Sequence, residues 1–301
     1  MKLTDCINIC GGRLVKDGEF EVLEYCTAEV DKKFLSFIER EKFISKISQN
    51  VSCVLCTEEL VACLPDFIEG ICVVEEPKKM FVTLHNELAK SEAYAGPRKP
   101  TRIGENCDIS DLACIAKENV TIGNNVTIEP FVVINSNVEI GDNCIIRSGT
   151  TIGGKGFNFV KTADGEMLGM RDLGRVVLGS NVEICSNCHV ANGPLPTDVT
   201  RLDDHVKMDV FAQIGHGSRV GRRTLIASGA QISGNVVIGE DCWIGVNATI
   251  SNRINIGDNA RVNLGSVVTK NVEAGTAVSG NFAIDHGRFL SHIKELSKKE
   301  V

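Results

Sequence analysis

The sequence predicts a mainly β chain: a triangular parallel β-helix, preceded by a small α/β domain and followed by a helix. Two observations carry the rod. Ile, Leu, Val or Met recurs at every sixth residue from Ile103 to Val268, with one extra residue after Ile115 and two longer interruptions. Mostly small residues recur four positions after each of these, as at Cys144, Ala212, Ala230 and Ala248. A third observation sets the domain apart: residues 1–95 show no period of six.

A period of six fits neither an α-helix nor a plain strand. Three hexads close one triangular coil, so residues 18 apart stack about 4.8 Å from one another. The long aliphatics and the small residues form two interior layers, because a tightly wound coil leaves little room. Gly, Asn and Asp gather at the corners, as in Ile140-Gly-Asp-Asn and Ile256-Gly-Asp-Asn, where sharp turns need residues that tolerate the left-handed conformation.

In chain order, residues 1–95 carry strand-like runs at 21–25, 51–56 and 70–74 and helical ones at 39–47 and 78–91, a pattern that predicts a small α/β domain. Ala95-Gly-Pro-Arg-Lys-Pro is a linker, because its prolines break helix and ladder alike. The rod spans 101–280. Two segments interrupt it, 153–177 and 193–201, and loops leaving such a rod are where substrate contacts are expected. The first holds Gly153-Gly-Lys-Gly-Phe-Asn-Phe159, which lacks the Gly-Lys-Ser/Thr ending of a phosphate-binding P-loop. Phe157 and Phe159 either anchor this loop to the rod or touch substrate. The tail, 285–301, is a helix with Phe289, Ile293 and Leu296 as its apolar stripe and Arg288, Lys294, Lys298 and Lys299 outside it.

The chain has 301 residues and a formal net charge of -7, which argues against non-specific nucleic-acid binding. No apolar run is long enough to span a bilayer. Met1-Lys-Leu-Thr-Asp-Cys lacks the apolar centre of a secretion signal, so a cytoplasmic protein is expected. Cys107, Cys144, Cys188 and Cys242 fall on the small interior position of a hexad, which requires a reducing compartment. The pairs Cys53/Cys56 and Cys185/Cys188 lack companion ligands and are read as structural, so no metal is expected.

Among the histidines, His85, His286 and His292 read as packing or surface residues, and His189 and His205 flank the second interruption without a decided role. His216 lies in Gln213-Ile-Gly-His-Gly-Ser-Arg, two residues past an interior Ile, and points out of the coil. It is either a solvated corner residue or a catalytic base. Gly234 stacks on it, 18 residues on. A backbone N–H beside an imidazole is the pair that acyl transfer needs, a base for the nucleophile and a donor for the oxyanion. Asp209, seven residues before His216, is expected to orient the ring.

Over nearly its whole length the chain resembles the UDP-3-O-(3-hydroxyacyl)glucosamine N-acyltransferases of lipid A biosynthesis. The resemblance is carried by Ile9-Cys-Gly-Gly-Arg-Leu, Leu35-Ser-Phe-Ile-Glu-Arg-Glu-Lys-Phe43, Ile152-Gly-Gly-Lys-Gly-Phe-Asn-Phe, Leu173-Gly-Arg-Val-Val-Leu-Gly and Lys207-Met-Asp-Val-Phe-Ala-Gln-Ile-Gly-His216. It implies left-handed coiling and a homotrimer with sites between subunits. By the same resemblance His216 is the base, Asp209 its partner and Gly234 the oxyanion donor. Phe37 and Phe43 match the aromatic positions that sandwich the uracil, with Arg40 between them, while Phe157, Asn158, Phe159 and Arg253 are further candidates for substrate contact. The C-terminal helix meets acyl carrier protein.

The chain departs from that pattern at Arg40 and Glu41, which stand for an Asn and a Pro, at Val210 for an Asn, and at Arg253 for a second His. The segment Gly265-Ser-Val-Val-Thr-Lys-Asn-Val-Glu-Ala-Gly-Thr instead resembles hexapeptide acetyltransferases that use acetyl-CoA. The expected function is transfer of an acyl group from acyl carrier protein or CoA to the amine of a nucleotide-linked amino sugar, with no bound cofactor. The alternatives are an acetyl- or short-acyl-CoA enzyme acting on a dTDP- or UDP-amino sugar, and a non-catalytic solenoid that binds a nucleotide sugar.

Overall fold

A computed structural model describes residues 1–280 and 283–297. From 102 to 278 the chain winds as a parallel β-helix with three faces. Face A is a nine-stranded sheet from Asp108–Ile109 to Ala277–Val278. Face B has eight strands, from Cys114–Ile115 to Val267–Val268. Face C also has eight, from Arg102–Ile103 to Asn255–Ile256. The pairing is parallel and steps by one coil, as in Gln213↔Gln231 and Ile214↔Ile232. Strands are two to four residues long, because each side of the triangle admits only one hexad.

The aliphatic and small layers form one continuous core from Val120 to Val272. The first coil departs from the pattern. Ile103 is 51% exposed, because no coil lies beneath it. Ser218, Thr224 and Ser266 occupy the small layer and are buried. The first two donate to carbonyls of the next coil, Ser218 to Ser233 O at 2.9 Å and Thr224 to Gly239 O at 2.8 Å. Corners are turned by left-handed residues, mainly Asn, but also Phe131, His205, Phe211, Arg223 and Arg253. His205 is thus an exposed corner residue.

The N-terminal domain contains α1 (Leu3–Cys10), β1 (Arg13–Lys16), β2 (Val22–Leu23), β3 (Phe34–Ile38), β4 (Val51–Cys56), β5 (Gly70–Val73), α2 (Pro77–Leu88) and α3 (Glu92–Ala95). The sheet order is β1-β5-β4-β3-β2, parallel except for β1. The helical expectation for 39–47 is corrected to a six-residue 3-10 turn, Glu41–Lys46, with no buried residue. Without an apolar stripe to bury, a longer helix has nothing to stabilise it. Cys53 and Cys56 lie three apart on β4, so their side chains leave opposite faces and cannot share a metal.

The first interruption contains a hairpin, Phe159–Lys161 with Met167–Gly169, clasped by α2. Asn86 Nδ2 donates to Gly169 O at 2.9 Å and Asn86 Oδ1 accepts from the Arg171 N–H at 3.0 Å. His85 Nε2 lies 2.9 Å from Arg171 O, and its Nδ1 lies 3.0 Å from the Tyr94 hydroxyl. A carbonyl only accepts, so Nε2 carries the proton and Nδ1 accepts from Tyr94. Met170 and Leu195, one from each interruption, join the core of the N-terminal domain. The final helix, α4 (His286–Ser297), leaves Phe289 and Ile293 exposed. Lys298 and Lys299 lie outside the described residues, as does the side chain of Leu296.

Among the described residues, no helix is long and apolar enough to cross a membrane. Nor does any cluster of three His, Cys, Asp or Glu side chains suit a metal ion.

Candidate active site

His216 sits at the corner where face B passes to face C, between the strands Gln213–Ile214 and Arg219–Val220. The corner is held from below, since the Gly217 N–H donates to the buried Thr200 hydroxyl at 2.9 Å. Gly234 lies directly above. A Cβ on Gly234 would stand 2.7 Å from His216 Nε2, so only glycine lets the ring lie across the next coil. No hydrogen bond reaches the Gly234 N–H from another described residue, which leaves that donor open.

Burial pushes the His216 imidazole below its ordinary value, Arg253 adds to the lowering, and Asp198 opposes it. The ring is therefore neutral near neutral pH, as a base must be. Its Nδ1 is buried and makes no hydrogen bond.

The carboxylate beside His216 is Asp198, not Asp209. Arg201 pairs with Arg219, so Asp198, three residues before Arg201, lies one coil beneath His216. Burial raises its carboxyl, while the Leu195 N–H, 2.9 Å from Oδ2, and His216 lower it. Asp209 stands at the other end of face B, where face A turns into it, and is exposed with its Oδ1 capped by the Val210 N–H at 2.8 Å. Seven residues carry the chain past a whole side of the triangle, so Asp209 does not face His216 within a protomer.

His216 opens into a cleft of about 350 Å³. One wall is the rod and second interruption, with Thr197, Asp198, Asn235 and Arg253. The other is the N-terminal segment that follows β2, including Glu24 and Tyr25. Glu24 and Tyr25 were not anticipated from the sequence. Tyr25 also lines a neighbouring cavity of about 220 Å³, with Phe37, Phe81, Phe157, Asn158 and Phe159. Its ring lies 6.2 Å from Phe37 and 6.0 Å from Phe81, so Tyr25 is the partition between the two.

In that aromatic cavity Phe157 is 90% exposed and 5.2 Å from Phe159, over which Lys155 Nζ stands at 5.3 Å. Burial pushes Asp172 up to about 6. Asn158 and Lys155 lower it, yet neither Asn158 Nδ2 nor Asp172 Oδ1 reaches hydrogen-bond geometry. Asn158 lines the cavity, and its unpartnered Nδ2 is a donor that suits an acceptor on a ligand there. Phe43 and Arg40 are not part of this lining. Phe43 lies on the exposed 3-10 turn under Lys42 Nζ at 5.2 Å, and Arg40 is the exposed residue before it. His189 faces outward on face B and packs on Gly154.

Two hexapeptide families match the rod: the bacterial transferase hexapeptide (six repeats) over residues 119–154, and the hexapeptide repeat of succinyl-transferase over 235–270. A UDP-3-O-acylglucosamine N-acyltransferase of Coxiella burnetii is 28% identical over 259 residues, covering 77% of this chain and 74% of the relative. One from Herminiimonas arsenicoxydans is 26% identical over 275 residues, covering 80% and 76%. The solved UDP-N-acetylglucosamine acyltransferase from Campylobacter jejuni superposes with a TM-score of 0.54 at 22% identity, covering 64% of this chain and 78% of that one. The rod is accordingly a left-handed parallel β-helix.

Proposed function

We propose that this chain, a divergent member of the UDP-3-O-acylglucosamine N-acyltransferase family, moves an acyl group from a thioester to the amine of a UDP-linked amino sugar in lipid A synthesis. The single observation that carries the reading is the stacked corner. A neutral imidazole at His216 lies across Gly234, whose N–H is open, at the mouth of a cleft.

The unprotonated amine attacks the thioester carbonyl carbon. His216 takes the amine proton as the C–N bond forms, and the Gly234 N–H donates to the oxyanion. Collapse breaks the C–S bond, and the imidazolium returns its proton to the departing thiolate. Asp198 stabilises the imidazolium through its charge. Arg253, at the same corner, is placed for an anionic part of donor or acceptor. The aromatic cavity behind Tyr25 supports placement of the flat base or sugar face, with Phe37, Phe157 and Phe159 as its walls and Asn158 as donor.

A homotrimer is supported by a second edge. Leu112 and Phe131 adjoin low on the corner from face A to face B, Val246 and Leu264 adjoin high on it, and Phe211 stands between, all exposed, with Leu225 and Trp243 beside them on face A. A monomer rarely shows this many large apolar side chains to water along one edge. The donor is acyl carrier protein or CoA, with no bound cofactor, and the compartment is the cytoplasm.

The test is thiol release from a hydroxyacyl carrier protein and from acetyl-CoA, each with a panel of UDP- and dTDP-amino sugars. Turnover with the carrier protein and a UDP-glucosamine bearing a free amine is expected, with none when the amine is already acylated. Turnover with the CoA donor alone would reassign the chain to acetyl or short-acyl transfer. No thiol from any combination would leave a non-catalytic solenoid.

A further inference from the structure

Glu24 is a buried carboxyl that the chemistry above does not use. It follows β2 of the N-terminal domain and is 5% exposed. Its Oε2 accepts from the Thr197 hydroxyl at 2.6 Å, and its Oε1 from the Tyr25 N–H at 3.0 Å. Thr197 immediately precedes Asp198, whose Oδ2 accepts from the Leu195 N–H at 2.9 Å. Glu24 therefore grips, across the seam between domain and rod, the loop that carries the carboxylate beneath His216. Burying a carboxyl is costly, and an apolar pair would close the same seam at lower cost.

We propose that Glu24 is a positioning residue of the acid–base site: by holding Thr197 it fixes Asp198 under His216, and makes the N-terminal domain part of the catalytic machinery. Its consequence for turnover rests on the acyl-transfer reading; its effect on His216 does not.

The charged and titratable groups around Glu24 agree with this role. Asp198 faces it from the loop, Tyr25 from its own segment and Tyr94 from α3, with His216 and Arg253 beyond Asp198. Burial pushes Glu24 up to about 7; the Thr197 hydrogen bond opposes the rise and the charge of Asp198 adds to it.

The test reads His216 directly, by its modification with diethyl pyrocarbonate, which attacks only the neutral ring, followed across pH by mass spectrometry of the His216 peptide. Losing a nearby anion lowers an imidazole pKa. Asp198→Asn should move the midpoint to lower pH and set the full size of the shift. Thr197→Val and Glu24→Ala should move it the same way by about half a pH unit. Glu24→Gln keeps an acceptor for Thr197 and should stay nearer the wild type. In turnover, Thr197→Val and Glu24→Ala should lower kcat about tenfold with KM for the amino sugar little changed. Because Thr197→Val replaces one hydroxyl by a methyl, it guards against a folding defect in Glu24→Ala.

The proposal is overturned if the Thr197→Val and Glu24→Ala curves superimpose on the wild type while Asp198→Asn shifts, or if Asp198→Asn itself does not shift. A wild type that turns over no acyl donor sinks the acyl-transfer reading instead, and the modification curves still decide the role of Glu24.

Discussion

The two corners that bound face B share one backbone and differ in almost everything else. Where face A turns into B, the corner is lined by exposed Leu112, Phe131, Phe211, Val246 and Leu264, and Asp209 stands there in solvent. Where face B turns into C, the corner carries His216, Asn235 and Arg253, and the N-terminal domain roofs it. The repeat delivers equivalent stacks of side chains at both. Only the covered one excludes water enough to lower an imidazole and raise two carboxyl groups. In a solenoid, chemistry follows the cover and not the coil.

The largest expected effect comes from removing the base. His216→Ala should lower kcat about a thousandfold and leave the melting temperature nearly unchanged, because the ring lies over Gly234 and belongs to neither hydrophobic core; unchanged thiol release would end the proposed mechanism. Next is Gly234→Ala, whose new Cβ would meet His216 Nε2 at 2.7 Å. It should cost about a hundredfold in kcat, and a wild-type rate would show that the ring does not work from its position over Gly234.

The two corners are separated most sharply by a matched pair of aspartate variants. Asp198→Asn should lower kcat by tens of fold, roughly 2 kcal/mol of transition-state stabilisation, while Asp209→Asn should change it less than about threefold; the reverse ranking would move the site to the apolar edge. On that edge, Leu264→Glu combined with Phe211→Glu should reduce a trimer to single chains in analytical ultracentrifugation, and an unchanged mass would reject the stripe as the interface.

The smallest effect is on stability. Folding raises the Glu24 carboxyl from 4.5 to about 7. The unfolded chain therefore ionises first, and this group withdraws stability as pH rises between those values. Glu24→Gln should be more stable than wild type above pH 7 by on the order of 1–2 kcal/mol, with the difference fading below pH 4.5. Equal melting temperatures across that range would show that the carboxyl is not desolvated.

Much of the site was legible in the sequence, and the same stacking rule would have reached further. Adding 18 to His216 finds Gly234; subtracting 18 finds Asp198. The 193–201 interruption hid that second step, because a loop breaks the count on which register depends. Asp209 was drawn in by nearness along the chain, which means little where seven residues turn a corner. Phe37, Phe157, Asn158 and Phe159 do meet at one cavity. Phe43 and Arg40 do not, because a 3-10 turn after β3 carries them into solvent. The strand Phe34–Ile38, Phe-Leu-Ser-Phe-Ile, is not legible in the sequence because a short strand buried on both faces has no alternation to read.

By itself the sequence determined the rod, its interior layers, its corners, and the pairing of His216 with Gly234. Each of these depends on an interval along the chain that six-residue winding converts into a distance. Only the tertiary structure decided which corner becomes a site. Glu24 and Tyr25 reach His216 by docking one domain against another, with 172 residues between Glu24 and Thr197, and no periodicity encodes a contact made across a seam.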